Sequence, residues 1–120
     1  MESYFKGITG ENAACEYLKK KNYDIIKRNF RCRYGEVDII VCKDGELAFV
    51  EVKTWDTLES FDLSYVINHK KQKRITNASS IFLRDYKGDY SSIRFDVLLI
   101  KNNRTIFEYY TNIYMENDLP

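Results

Sequence analysis

Apolar residues first fall into helical spacing at Ala13, Ala14, Tyr17 and Leu18, which predicts a helix from Thr9 to about Lys21, with Thr9 as N-cap and Asn22 as its stop. Tyr23 to Asn29 then reads as a short extended piece, followed by the basic stretch Arg28, Arg31, Arg33 and by Gly35. Glu36–Cys42 and Leu47–Lys53 are runs rich in Val and Ile, joined through Lys43-Asp44-Gly45-Glu46, and Asp-Gly between two such runs is a strong hairpin signal. Residues 54–66 are polar with scattered aromatics and predict a long loop. From Asn68 to Tyr86 the helical period returns, with His69, Lys70, Lys71, Lys73 and Arg74 crowding its first half and Ala78, Ile81, Phe82 and Leu83 its second. Gly88 ends that helix, and Ile93–Ile100 and Thr105–Tyr114 read as further strands around an Asn102-Asn103 turn.

A two-residue turn at Asp44-Gly45 fixes the hairpin register: Lys43 faces Glu46, Ile40 faces Phe49, Ile39 faces Val50 and Asp38 faces Glu51. One face then carries Val37, Ile39, Val41, Val52, Val50 and Ala48. The other carries Ile40, Phe49, Leu47 and Cys42, with Asp38, Glu51, Lys53 and Glu36 at its far end. Two apolar faces call for helices on both sides of the sheet. Directly opposed like charges are destabilising, by roughly 0.2–1 kcal/mol at ordinary sites and more where water is scarce. A divalent cation between Asp38 and Glu51 would turn that repulsion into coordination, and Lys53 lies on the same face as Glu51. The plainer alternative is a fraying sheet end with both acids solvated and Lys53 in a surface ion pair worth ~0–1 kcal/mol. The apolar neighbours in Val-Asp-Ile-Ile and Val-Glu-Val-Lys speak against it. Glu11 falls in the first turn of the first predicted helix, where the helix dipole alone would favour an acid.

The chain has 120 residues, 44% apolar and 31% charged, with one Pro and five Gly, which fits a single folded domain over 1–120 and excludes collagen-like and disordered classes. No apolar run approaches the ~18–20 residues of a membrane span, and Met1 to Lys6 lacks the apolar stretch of a signal peptide, so no membrane partner and a cytoplasmic location are expected. Cys15, Cys32 and Cys42 form no C-x-x-C pair, and His69 is the single histidine; zinc fingers, disulfide scaffolds and Ser-His-Asp triads are therefore disfavoured. The net charge of +1 hides a pattern: residues 1–35 carry +4, 36–68 carry −6, 69–101 carry +5 and 102–120 carry −2. An acidic centre between basic segments suits a site that gathers a cation and also meets a polyanion, although an ordinary mixed surface gives the same tally.

Asp38 followed by Glu51-x-Lys53 on the next strand resembles the PD-(D/E)xK nuclease superfamily, with Val37 standing where the motif has proline. More closely, the chain resembles the YraN family of small predicted endonucleases, related to archaeal Holliday-junction resolvases. The matching stretches are Gly7-x-x-Gly10-Glu11-x-x-Ala14, Asn29-x-Arg31, Gly35-Glu36-Val37-Asp38-Ile39-Ile40, Phe49-Val50-Glu51-Val52-Lys53, Lys71-Gln72-Lys73-Arg74-Ile75 and Arg94-Phe95-Asp96-Val97. They run in family order from residue 7 to residue 97.

The resemblance implies an α/β, restriction-endonuclease-like core: a mixed central β-sheet of about four or five strands flanked by α-helices. It implies a metal-dependent endonuclease hydrolysing phosphodiester bonds in DNA, with branched or junction DNA as the substrate class and a homodimer as the assembly. Asp38 and Glu51 would bind Mg²⁺ (or Mn²⁺), and Glu11 would complete the acidic set. Lys53 would orient the attacking water or offset charge on the phosphorane-like transition state, as such hydrolysis requires. Arg31, Arg33, Lys71, Lys73 and Arg74 would grip the nucleic-acid backbone. Thr54-Trp55 departs from the family, whose members commonly place Arg nearby. Arg94 and Asp96 match the family yet read equally well as a structural ion pair, and Tyr109, Tyr110 and Tyr114 read as strand packing. Two other classes stay open: a non-catalytic nucleic-acid-binding module with a vestigial nuclease site, and a small interaction protein whose carboxylates are structural.

Overall fold

The computed structural model describes residues 2–55, 68–101 and 106–114. They form α1 (Glu2–Lys20), β1 (Asp24–Cys32), β2 (Gly35–Lys43), β3 (Glu46–Trp55), α2 (His69–Asp85), β4 (Ser92–Lys101) and β5 (Ile106–Tyr114). All five strands lie in one sheet in chain order. Neighbours run antiparallel except β3 and β4, whose parallel pairing requires a crossover, and α2 lies within that connection. The result is an α/β fold with a mixed five-stranded sheet and a helix on each face, consistent with a restriction-endonuclease-like core.

The hairpin forms in the predicted register, with Lys43 opposite Glu46, Ile40 opposite Phe49 and Ile39 opposite Val50. Asp44 (φ 52°) and Gly45 (φ 80°) both take the left-handed conformation that lets a two-residue turn follow the strand twist. Its two apolar faces are covered from opposite sides. Ala14, Cys15 and Leu18 of α1 pack on Ile39, Val41, Ala48, Val50, Leu98 and Ile100. Ile75 and Ala78 of α2 pack on Val37, Ile40, Leu47, Phe49, Phe95 and Val97. Full burial of a side chain such as Leu18 or Phe49 contributes about 1.5–3 kcal/mol.

One boundary of each helix falls on a sequence signal, whereas α2 ends at Asp85 with Tyr86 as its C-cap, ahead of the predicted stop at Gly88. Asn22 (φ 69°) turns the chain out of α1, and the Asn22 and Tyr23 amides donate back to the Lys19 and Leu18 carbonyls at 2.9 and 3.0 Å. Asn68 caps α2 by accepting from the Lys71 amide at 2.9 Å.

Three expectations are corrected. α1 begins at Glu2, so Thr9 is inside the helix and is not its N-cap; Gly7 and Gly10 weaken the local propensity and hide the first turns. Gly10 has a packing role, since a Cβ there would stand 2.6 Å from Thr54 Oγ1. Thr54 and Trp55 belong to β3 and not to a loop. Val37 joins the cluster under α2, although strict alternation puts it beside Ile39. Residues 56–66 of the predicted loop, the Asn102-Asn103 turn and Thr105 lie outside the described residues. Among the described residues no helix is long and apolar enough to cross a membrane.

Candidate active site

The displaced Val37 marks where β2 changes face. Arg28 pairs with Ile39 and Phe30 with Val37, which sets Asn29 opposite Asp38. Asn29 adopts φ 53°, a left-handed conformation that Asn tolerates better than most residues, in the middle of a strand. On the other side, the described ladder with β3 stops at Ile39–Val50, one step before Asp38 and Glu51 would meet. Asp38 Oδ2 accepts the Val52 amide at 2.8 Å, so its carboxylate lies between the parting strands rather than on either face.

That position exposes Asp38 to acids from two directions. Its pKa is pushed up to about 8 by burial first and by the Glu51 charge second; the Val52 amide opposes the rise, while Glu11 and a hydrogen bond shared with Glu51 add to it. Burial and the neighbouring acids thus favour the neutral form of Asp38, and Glu11 bears on the same point from α1. Asn29 Nδ2 donates to Glu11 Oε2 at 3.1 Å, and Arg28 holds Asn12 Oδ1 at 2.7 Å one residue along, so α1 is pinned to β1 beside the acids. Glu11 sits well inside α1, nine residues past its start, and the helix-dipole account of this acid does not hold. Among the described residues, no three Asp, Glu, His or Cys side chains are grouped closely enough to hold a metal ion by themselves. The convergence is a carboxylate pair with a third acid acting at longer range.

The predicted basic residues divide into two sets. Lys71, at the start of α2, reaches the site itself and binds Glu51 Oε1 at 2.7 Å. Lys53 is exposed two residues beyond Glu51 and has no ion-pair partner among the described residues. Arg31, Arg33, Lys73 and Arg74 are exposed farther out, with Arg31 in a 3.4 Å pair with Glu36. Gly35 brings this outer set together. A Cβ at Gly35 would stand 2.0 Å from the Arg74 carbonyl oxygen, so only glycine lets α2 rest against the β1–β2 turn.

The model of the uncharacterised protein family UPF0102 matches residues 10–100, which span Glu11, the hairpin acids, Lys53, the basic start of α2 and Asp96. The chain belongs to the UPF0102 family. UPF0102 relatives include a protein of Persephonella marina, 40% identical over 86% of this chain and 89% of its own, and one of Campylobacter lari, 36% identical over 83% and 87%. A relative from Chlorobium phaeobacteroides is 40% identical over 82% of this chain and 78% of its own.

In this UPF0102 chain a second buried acid lies in the same sheet, on β4. The Asp96 side chain is fully buried and accepts from Arg94 Nε at 3.0–3.1 Å, from the Asn112 amide at 2.8 Å and from the Tyr109 hydroxyl. Arg94 also binds Glu46 and the Tyr23 hydroxyl. Burial opposes the charge on Arg94, but Asp96 outweighs it and raises its pKa further; burial and Asp96 together raise that of Tyr109. Asp96 lies where the β4–β5 register shifts, opposite a left-handed Asn112 (φ 54°). The cluster ties β3, β4, β5 and the α1–β1 connection together, and the structural reading of the Arg94–Asp96 pair prevails. The sequence marks Asn29 only as part of the matching stretch Asn29-x-Arg31; its role of holding Glu11 becomes visible in the structure.

Proposed function

We propose that this protein is a divalent-metal-dependent endonuclease acting on DNA, with Asp38 and Glu51 as the metal-binding pair and Glu11 as the supporting acid. The observation that carries this reading is the place of the Asp38 carboxylate: it is bound to the Val52 amide where β2 and β3 part, with Glu51 and Glu11 bearing on it, an arrangement of acids that a cation would relieve. The donors are hard carboxylate oxygens, which suit Mg²⁺ or Mn²⁺. A bound ion of this kind supplies a Lewis acid for the phosphate and lowers the pKa of a coordinated water. The chain's own residues do the rest. Lys53, exposed and beside Glu51, offsets charge that develops on the phosphate or orients the attacking water. Lys71 holds the Glu51 carboxylate in place, and Arg31, Arg33, Lys73 and Arg74 meet backbone phosphates farther out. Branched DNA as substrate and a homodimer follow from the resemblance to junction resolvases, a cytoplasmic location follows from the lack of a membrane-span or signal-like stretch in the sequence, and all three belong to the same proposal.

One observation favours a second reading, a DNA-binding module with a vestigial site: Lys71 already neutralises Glu51, as a retained cation would. A cleavage panel separates the two. Four-way junction, flap, duplex and single-stranded DNA, and RNA, are offered at low salt with Mg²⁺ or Mn²⁺, beside EDTA and a Glu51→Gln control. Cleavage abolished by both EDTA and Glu51→Gln is the expected result. Binding without cleavage under every condition overturns the nuclease reading and leaves the binding module.

A further inference from the structure

The turn between β1 and β2 consists of Arg33 and Tyr34, since Cys32 pairs directly with Gly35. An aromatic residue at a two-residue hairpin tip has no packing role to fill, and Tyr34 fills none. Its side chain is 54% exposed, the most of any large apolar residue described. The Arg33 guanidinium lies over the ring, 5.9 Å from its centroid. Neither residue takes a positive φ, unlike Asp44-Gly45, so this tip does not follow the turn geometry that best suits a hairpin.

The tip is tied to the carboxylate site by a short series of contacts. Glu51 binds Lys71; Arg74 lies three residues along the same helix; the Arg74 carbonyl abuts Gly35; and Gly35 adjoins Tyr34. Along β2, Gly35 is three residues from Asp38, about 10 Å at strand rise. That is about three nucleotides at the axial rise of stacked B-form DNA, and fewer in an extended unpaired strand. Exposed Arg31, Arg33, Lys73 and Arg74 surround the path with positive charge.

We propose that Tyr34, with Arg33 over its ring, is a stacking platform for an unpaired base of a nucleic-acid strand whose backbone continues toward Asp38 and Glu51, a surface that rests on the nucleic-acid role proposed above. A paired base keeps its faces within the duplex stack and cannot use the ring, so Tyr34 discriminates strands with unpaired nucleotides from continuous duplex. The basic residues bind backbone in both forms and set affinity without discrimination.

The test measures fluorescence anisotropy of labelled single-stranded and duplex oligonucleotides of one sequence, at low salt in EDTA, for wild type, Tyr34→Ala, Tyr34→Phe and Arg74→Ala. Tyr34 is exposed, so thermal melting of its variants should match wild type. The expected result is a loss of about 5- to 100-fold in single-strand affinity for Tyr34→Ala, with duplex affinity unchanged and Tyr34→Phe close to wild type. Arg74→Ala should weaken both strands alike. An oligonucleotide carrying 2-aminopurine should be quenched by wild type and less so by Tyr34→Ala. Equal single-strand affinity for wild type and Tyr34→Ala overturns the platform while leaving the nuclease proposal standing. Platform behaviour in a protein that never cleaves overturns only the nuclease chemistry. No binding of either strand by wild type overturns both.

Discussion

Asp38, half-buried, and Asp96, fully buried, are aspartates of one sheet with opposite surroundings. Asp96 is met by a guanidinium, a phenol and a backbone amide, enough donors for both its oxygens. Asp38 is met by one amide and two further acids. A fold that stabilises an ionised carboxylate supplies donors, as it does for Asp96. At Asp38 it supplies a single amide and places the acid where two strands part, while the nearby Lys71 is bound to Glu51. The difference separates an acid whose ionised form the fold stabilises from one whose ionised form it disfavours.

The difference breaks first if Asp96 proves dispensable. Asp96→Ala leaves Arg94 without its buried partner and should cost about 3–5 kcal/mol in urea unfolding at pH 7; a cost below about 1 kcal/mol would place the cluster among ordinary surface pairs. The opposite sign is expected at the other acid. Asp38→Asn keeps an acceptor for the Val52 amide and needs no proton to be neutral beside Glu51, so in EDTA at pH 7 it should stabilise the protein by about 1–3 kcal/mol while abolishing cleavage.

Acidity sharpens the same contrast. Asp38 releases its proton near 3.8 when unfolded and near 8 when folded, so the metal-free chain takes up a proton on folding anywhere between. Its stability is fully present below about pH 4 and is lost as pH rises through 8, by at most about 1.4 kcal/mol per pH unit. Denaturant midpoints of wild type in EDTA across pH 5–8 should show that fall relative to Asp38→Asn, and two parallel profiles would show that Asp38 is ionised throughout. The smallest effect belongs to Lys71. Its pair with Glu51 is partly exposed, so Lys71→Ala should change stability by only ~0–1 kcal/mol. Calorimetric titration with Mg²⁺ should instead show tighter binding, because a competitor for Glu51 has gone.

The elements set by local chemistry were legible in the sequence. Asp44-Gly45 dictated the turn and, through it, the register of Ile39 on Val50. Asn68 marked the start of α2, and two apolar hairpin faces announced two covering helices. Period alone could not reveal the reversal at Asp38, because strict alternation assumes an unbroken ladder, and here left-handed Asn29 and the Asp38–Val52 bond interrupt it. Glu11 was chosen by resemblance, while its support from Asn29 depends on how α1 lies across β1. The Asp96 cluster joins residues as far apart as Tyr23, Glu46 and Tyr109, which no spacing connects.

The hairpin also bears on how quickly the molecule can reach its native state. Asp38 and Glu51 are thirteen positions apart and are brought together by a turn of two residues, whereas Glu46 finds Ser92 on β4 only after the chain has closed a loop of 46 positions. Local pairing of this kind forms within microseconds, well ahead of long-range parallel strands. The repulsion between the two acids is thus encountered early, before α2 and Lys71 arrive to relieve it. If the pair holds a cation as proposed, divalent ions present during folding should speed the search as well as stabilise its end.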